Sequence, residues 1–232
     1  MTADRPSRRT PRTLLALAVL GVACVVPAGC NIVAPALMIA QGPPKIEAKL
    51  KLDKERTHVI LIDDRRSVLP SRNLRELIGT TAEQALLTKE VVKDMVQSRI
   101  AAAQVRGERF GAPMSIIEVA RAVKADVIVY ATVDSFSLTV DGQSLAPTAV
   151  LRVKVIDAET EQRLLPAPGE LDWHPLTVTL PSAAATAPTS QTQVFAIQTD
   201  LAHWTGIQLA RLFYDVERAL AAPGSRVRDV RQ

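Results

Sequence analysis

The chain is poor in the residues that most often carry catalysis or bind metals. It has only two cysteines among 232 residues, Cys24 and Cys30, and both lie within the first 30 positions. A domain formed by the rest of the chain therefore has no disulfide, thiolate zinc site, iron–sulfur cluster or cysteine nucleophile. We expect its stability to come from the hydrophobic core alone.

Histidines and short catalytic motifs are equally sparse. His58, His174 and His203 are far apart in the sequence and have no metal-ligand spacing. There is no glycine-rich phosphate or dinucleotide motif, no H-E-x-x-H and no G-x-S-x-G. We therefore predict that the protein is not an enzyme and holds neither a cofactor nor a metal. One alternative is an envelope hydrolase that uses Asp63 and Asp64 at a strand end, although neighbouring strand residues point to opposite faces.

An excess of one charge is also missing once the N-terminus is set aside. The chain has 28 basic and 24 acidic residues, and four of the arginines and one aspartate lie in residues 1–29. The remainder is thus nearly neutral, which gives no reason to expect a nucleic-acid partner. Hydrophobic residues make up 47% and charged residues 22%, as is typical of a globular domain rather than a disordered chain.

A basic segment followed by a short apolar run opens the chain. Residues 1–12 contain the four arginines, and residues 14–26 carry no charge. A helix that crosses a bilayer needs ~20 apolar residues, so this run is too short for a stable span. The pattern predicts a secretory signal peptide over residues 1–29.

The segment Pro27-Ala28-Gly29-Cys30 resembles the bacterial lipobox, although Pro27 departs from the usual leucine. The resemblance implies cleavage between Gly29 and Cys30 and a lipid anchor, palmitate included, at Cys30. Asn31 stands where an aspartate would retain a lipoprotein in the inner membrane, which implies the periplasmic face of the outer membrane. A plain signal peptide cut near Ala28, a retained membrane anchor, and export by the twin-arginine rather than the Sec route remain alternatives.

The rest of the chain reads as a tether and one domain. We assign residues 30–56 to the lipidated N-terminus and tether, 57–221 to a single domain and 222–232 to a disordered tail. The pattern indicates an α/β (α+β) sandwich, in which a mostly antiparallel or mixed sheet of about 4–5 strands packs with three helices. The predicted strands are at 59–62, 126–140, 149–157, 163–165 and 176–180, and the predicted helices are at 80–104, from Ser115 and at 193–221. Thr80 or Thr81 is expected to cap the first helix, and Glu83 completes a capping box with Thr80.

Two segments resemble an envelope family. Residues 119–130 (VARAVKADVIVY) and 150–160 (VLRVKVIDAET) are similar to segments of the group that includes the curli secretion-channel lipoprotein, the lipoprotein activators of penicillin-binding proteins and the N-terminal domain of the Tol propeller protein. The resemblance covers roughly residues 57–221. Glu161 stands where this group commonly has glycine, so we expect the turn after Asp157 not to take the tight glycine form.

These observations predict a lipid-anchored periplasmic module that binds another envelope protein. Trp173 is the residue most suited to contact the partner, because tryptophan is enriched among interface hot spots. An accessory role in a curli-like secretion or surface-assembly system is an alternative. The sequence does not reveal the partner's identity or the oligomeric state.

Overall fold

The computed structural model describes residues 45–107, 114–139, 144–180 and 188–217. The predicted signal peptide, Cys30 and the predicted tail lie outside these ranges. The elements are β1 (Lys45–Ile46), β2 (His58–Asp63), α1 (Arg72–Thr88), β3 (Met95–Val96), α2 (Ser98–Gly107), α3 (Ile116–Ala122), β4 (Val127–Thr139), β5 (Leu145–Asp157), β6 (Arg163–Leu165), β7 (His174–Thr179), α4 (Gln191–Ala210) and β8 (Val216–Glu217).

A mixed sheet lies at the centre of the fold. Its strand order is β3-β2-β4-β5-β6, and β7 pairs with β5 as well. β2 is parallel to β3 and β4, whereas β5 is antiparallel to β4, β6 and β7. The predicted sandwich with a mixed sheet is confirmed, with six strands in this sheet and four helices in the described part of the chain.

Helices α1 and α4 cover one face of the sheet, which we call the first face. β5 points Leu151, Val153 and Val155 into this layer, where all three are fully buried, as the sequence alternation predicts. The two helices approach closely at Gly206. A Cβ added there would lie 2.6 Å from the carbonyl oxygen of Ile78 in α1, so this contact requires glycine.

The second face is covered by shorter helices. α2 packs against β2 and α3 against β4. The side chains that this layer buries come from β2, β4, the two helices and the turns beside them: Val59, Leu61, Ala101, Val119, Ala120, Ala125, Ile128, Tyr130 and Ala158.

The single helix predicted over residues 80–104 is wrong, because the chain forms two helices, α1 and α2, with β3 between them. The Val91 amide donates to the Leu86 carbonyl at 2.9 Å, and Glu90 has a φ of +52°. This is the Schellman arrangement, which usually places glycine at the left-handed position. The helical spacing of apolar residues continues through this break, so spacing alone does not reveal it.

Of the two predicted helix caps, the one at Thr80 is wrong and the one at Ser115 is confirmed. Thr80 does not begin a helix; it lies inside α1, and its hydroxyl donates to the Glu76 carbonyl at 2.8 Å. Glu83 instead accepts a hydrogen bond from the Ser98 amide at the start of α2. The cap predicted at Ser115 is confirmed, since its side chain and that of Glu118 form a reciprocal capping box.

The last helix is shorter than the predicted 193–221. The Ser190 side chain caps its start by accepting from the Gln193 amide, and α4 ends at Ala210. Leu212 and Phe213 are buried, but they reach the core from the turn after the helix. Apolar residues at helical spacing therefore extend the prediction past the true end.

Residues before position 57, assigned to the tether, pack against the domain from Lys45 onward. β1 pairs antiparallel with β8. The amides of Lys49 and Leu50 both donate to the Leu212 carbonyl, at 2.8 and 3.2 Å. Leu50 and Leu52 also pack against the main core.

Carboxylates in residues 119–130 and 150–160 bind the residues just before β2. Asp126 accepts from the Thr57 amide at 2.8 Å and so joins the start of β4 to the start of β2. Asp157 accepts from the Glu159 and Thr160 amides, each at 2.9 Å, and pairs with Arg56 at 2.7 Å. The hydrogen bond from Arg56 keeps the pKa of Asp157 well below its usual value, although partial burial opposes this.

The expectation that Glu161 rules out a glycine-type turn is wrong. Glu161 has a φ of +59°, the left-handed conformation that glycine adopts most readily. Its carboxylate accepts from Arg121 at 2.8 Å, and the same guanidinium donates to the Ala158 carbonyl at 3.1 Å. A charged residue thus occupies a position whose backbone favours glycine.

Candidate partner-binding surface

The second face of the sheet is less covered along β5 than along β2 and β4. α2 and α3 make their main contacts with β2 and β4, so the outward side chains of β5 stay half-buried. Arg152 and Lys154 lie on this side, opposite Thr132 and Tyr130 of β4. The strand order and register thus place two cations beside an aromatic residue.

Trp173, just before β7, completes a cluster on this surface. Its ring lies 5.8 Å from the ring of Tyr130, between centroids. The Lys154 ammonium is 4.0 Å and the Arg152 guanidinium 5.1 Å from the centre of the indole ring. We call Asp63, Tyr130, Arg152, Lys154 and Trp173 the Trp173 patch. Aromatic rings and arginine are the groups most enriched at protein interfaces.

The sequence identifies Trp173 as a candidate contact but misses its neighbours. Tyr130, Arg152 and Lys154 look like ordinary strand residues in the sequence. The signal that could have found them is the strand register, because Tyr130 is paired directly with Lys154.

Asp63 is a buried member of the Trp173 patch, with 7% of its surface exposed. It accepts a hydrogen bond from the Tyr130 hydroxyl and forms an ion pair with Arg65 at 2.8 Å. Burial, together with the bond to Asp63, raises the pKa of Tyr130. The tyrosine therefore stays protonated and acts as a donor.

Asp64 has a separate, local role. Its two carboxylate oxygens accept from the Val68 and Leu69 amides, at 2.7 and 3.0 Å. Asp63 binds Tyr130 and Arg65 instead, so the two neighbouring carboxylates have different sets of partners.

The guanidinium of Arg152, one of the two cations in the Trp173 patch, is held by the carboxylate of Asp134. Arg152 donates two hydrogen bonds to Asp134, at 2.7 and 2.9 Å. This paired geometry raises the pKa of Arg152 and orients the guanidinium next to Trp173. Lys154, by contrast, has no carboxylate within ion-pair distance among the described residues.

A shallow cleft adjoins the patch. It has a volume of about 420 Å³, and its walls include Ile117 of α3, Lys154 and Ile156 of β5, Arg163 of β6 and Pro168. Lys154 belongs to both the cleft and the patch.

The three histidines differ in burial, since His58 is buried whereas His174 and His203 are half-buried. Burial lowers the pKa of His58, which is 0% exposed. Burial also lowers the pKa of half-buried His174. Within the described ranges no three His, Cys, Asp or Glu residues form a group that could hold a metal. None of the helices in those ranges has the length and hydrophobicity needed to cross a bilayer.

No protein-family model matches the chain, and no curated protein matches it either. Solved structures with a similar arrangement include the PelC dodecamer from Paraburkholderia phytofirmans, which is 11% identical, covers 74% of this chain and 97% of its own, and gives a TM-score of 0.42. A lipoprotein from Neisseria meningitidis is 7% identical, with coverages of 61% and 91% and a TM-score of 0.37. The LpoB C-terminal domain from Salmonella enterica is 13% identical, with coverages of 62% and 90% and a TM-score of 0.33. Likenesses at this level establish neither a family nor a function.

Proposed function

We propose that the protein is a lipid-anchored, non-enzymatic module of the cell envelope that binds another envelope protein. The observation that carries the proposal is the Trp173 patch, where an aromatic pair and two cations lie on a half-covered sheet face. Half-buried Trp173 offers a large contact area at a low cost in side-chain entropy, because its packing against Tyr130 already holds it in place.

The non-enzymatic part of the proposal is supported by the partners of the acidic residues. Asp63 is bound to Tyr130 and Arg65, and Asp64 holds two amides of the following loop. Each carboxylate thus has a structural role in this fold. A hydrolytic activity that Asp63→Asn abolishes, with the protein still folded, would contradict this part of the proposal.

The anchor is proposed at Cys30 on the periplasmic face of the outer membrane. Residues 30–44 would then join the lipid to β1, a reach of at most ~50 Å at ~3.5 Å per residue. Such a tether raises the effective concentration of the domain near its membrane. Metabolic labelling with a fatty-acid analogue should mark the wild type and not Cys30→Ser; equal labelling of both, or loss only with Cys24→Ser, would contradict the anchor site.

Capture from detergent-solubilised envelopes tests the patch, with the bound protein identified by mass spectrometry. We expect Trp173→Ala to weaken capture of that protein by tenfold or more, since hot-spot truncations cost ~2 kcal/mol or more. Because Trp173→Ala also removes the contact with Tyr130, Lys154→Glu serves as a second variant that leaves the aromatic pair in place. The matched control is Lys51→Glu, an exposed site before β2. Capture that all three variants retain at the wild-type level would place the partner on another surface.

A further inference from the structure

The charge-free part of the sequence gathers at one end of the sheet. Residues 173–199 contain no Asp, Glu, Lys or Arg, and residues 135–151 contain only Asp141. β5 pairs through the second of these stretches with β4 and with β7, and α4 packs against both β5 and β7. Among the described residues, the parts of β4, β5, β7 and α4 that lie within these stretches therefore carry no charged side chain, although 22% of the whole chain is charged.

The strand β7 lies at the edge of the sheet here. One observed hydrogen bond shows which of its residues direct their backbone groups toward β5 and which direct them away. The Leu180 amide donates to the Pro147 carbonyl of β5 at 2.9 Å. In an antiparallel pair the bonding direction alternates along the strand, so Val178, Leu176 and His174 also point their backbone groups toward β5. Pro175, Thr177 and Thr179 then point theirs outward.

Within the part of the chain that the structure describes, this outer edge has neither a paired strand nor a charged side chain of its own. Natural edges are guarded by charged side chains, bulges or covering segments. Among the described strands β7 pairs only with β5, and it contains no charged residue. Within β7 only Pro175, which has no amide hydrogen, hinders the pairing of another strand. Pro181 follows β7 in the sequence. Between these prolines the outward donors are the amides of Thr177 and Thr179.

We propose that β7 pairs antiparallel with β7 of a second copy of the chain, with Thr177 opposite the partner's Thr179. With a two-fold axis at Val178, the two β7 strands form four hydrogen bonds, two for each Thr177–Thr179 pair. Pro175 takes no part in these inter-strand hydrogen bonds. The outer edge of β7 at residues 177–179 can pair with an identical edge, as the interface of a two-fold dimer requires. Cross-strand threonine pairs are favourable, and no like charges meet, since residues 173–199 are uncharged.

The first test removes the outward donor at position 177. Thr177→Pro deletes an amide hydrogen that faces away from β5, and its matched control Thr177→Val keeps that amide. For the full-length chain in detergent, sedimentation should show a dimer for the wild type and Thr177→Val, and at least tenfold weaker self-association for Thr177→Pro. Thermal unfolding checks that each variant is folded. If Thr177→Pro is not, Thr179→Lys against Thr179→Ser repeats the comparison, with the lysine as the dissociating variant.

The second test reads the register through disulfides. Residues opposite each other in a hydrogen-bonded pair have Cα atoms ~5.5 Å apart, within disulfide range. Differently tagged full-length copies carrying Thr177→Cys and Thr179→Cys should cross-link on mild oxidation when mixed, and either variant alone should give only the background of the wild type.

Three results would overturn the pairing of two copies: a monomeric wild type, a dimer that survives both Thr177→Pro and Thr179→Lys, or cross-links from position 177 only to a different protein. The proposal does not rest on the Trp173 patch. The threonine variants leave Trp173 and Lys154 unchanged, so loss of self-association and loss of partner capture can be scored separately.

Discussion

At the scale of single residues, the most unusual feature is charge at left-handed backbone positions. Glu90, Lys124 and Glu161 have φ values of +52°, +57° and +59°. Glu90 follows the end of α1 and Lys124 the end of α3, where the Ala125 amide donates to the Ala120 carbonyl. All three side chains are exposed, so no packing explains their selection over glycine.

Glycine at such positions should stabilise the fold. A left-handed conformation costs a residue with a Cβ ~1–2 kcal/mol, and the greater freedom of glycine in the unfolded chain offsets part of that gain. We expect Glu90→Gly and Lys124→Gly each to raise the free energy of unfolding by about 0.5–1 kcal/mol. Lys89→Gly is the matched control. Because Lys89 has a φ of −85°, which any residue adopts without strain, this substitution should lower the free energy of unfolding. Urea titration measures all three, and a loss of stability in Glu90→Gly would contradict the strain argument.

At the scale of elements, the packing of α1 on α4 depends on one close approach. A Cβ at Gly206 would lie 2.6 Å from the Ile78 carbonyl oxygen and 2.7 Å from the Thr81 Cβ, both in α1. A Cβ at Gly79 would instead meet the side chain of Ser98, at 2.9 Å from its hydroxyl oxygen. The Ile78 carbonyl cannot rotate away from the clash, whereas the Ser98 hydroxyl can adopt another rotamer, which leaves the Ser98 Cβ at 3.0 Å as the remaining close contact.

We therefore expect Gly206→Ala to destabilise the protein by about 1–3 kcal/mol, the usual range for overpacking, despite the better helix propensity of alanine. Gly79→Ala should cost less. Thermal unfolding of the two variants side by side measures the difference. Equal losses, or a larger loss for Gly79→Ala, would show that the helices can separate at Gly206 without penalty.

The same elements show what the sequence can and cannot predict. β5 is predictable because its side chains alternate between buried and half-buried positions, and β4 because its first half is a continuous apolar run that is buried on both faces of the sheet. The start of α1 is not, because its N-cap Ser71 makes no side-chain capping bond, while Thr80 and Glu83 imitate a capping box. The end of α1 is hidden because Glu90 replaces the expected glycine.

The candidate site is only partly predictable for a related reason. Trp173 stands out by residue type alone, whereas Tyr130 and Lys154 become neighbours only through the pairing of β4 with β5. Arg56 and Asp157 likewise meet only in the folded chain. Contacts between distant parts of the sequence carry no local signal.

At the scale of the whole molecule, both ends of the described chain support each other. β1 pairs with β8, the Ala48 amide donates to Asp215 at 2.9 Å, and Leu50 and Leu52 pack against the core. Arg56, the last residue before the predicted domain start, forms the ion pair with Asp157. These contacts indicate that residues 45–56 contribute to stability.

A comparison of two shortened chains tests this contribution. The chain that begins at Lys45 should unfold in one transition that reductant does not affect, since the sequence after Cys30 has no cysteine.

The chain that begins at Thr57 loses two partly buried leucines, each contributing ~1–2 kcal/mol, and several hydrogen bonds of ~1 kcal/mol each. It also leaves Asp157 without the guanidinium of Arg56, which holds its pKa low, so its stability should depend less on pH below about 4. We expect a loss of ~3–5 kcal/mol in urea titration. Equal stability of the two chains would mean that residues 45–56 only tether the domain, and Arg56→Ala in the longer chain separates the ion pair from the packing of the leucines.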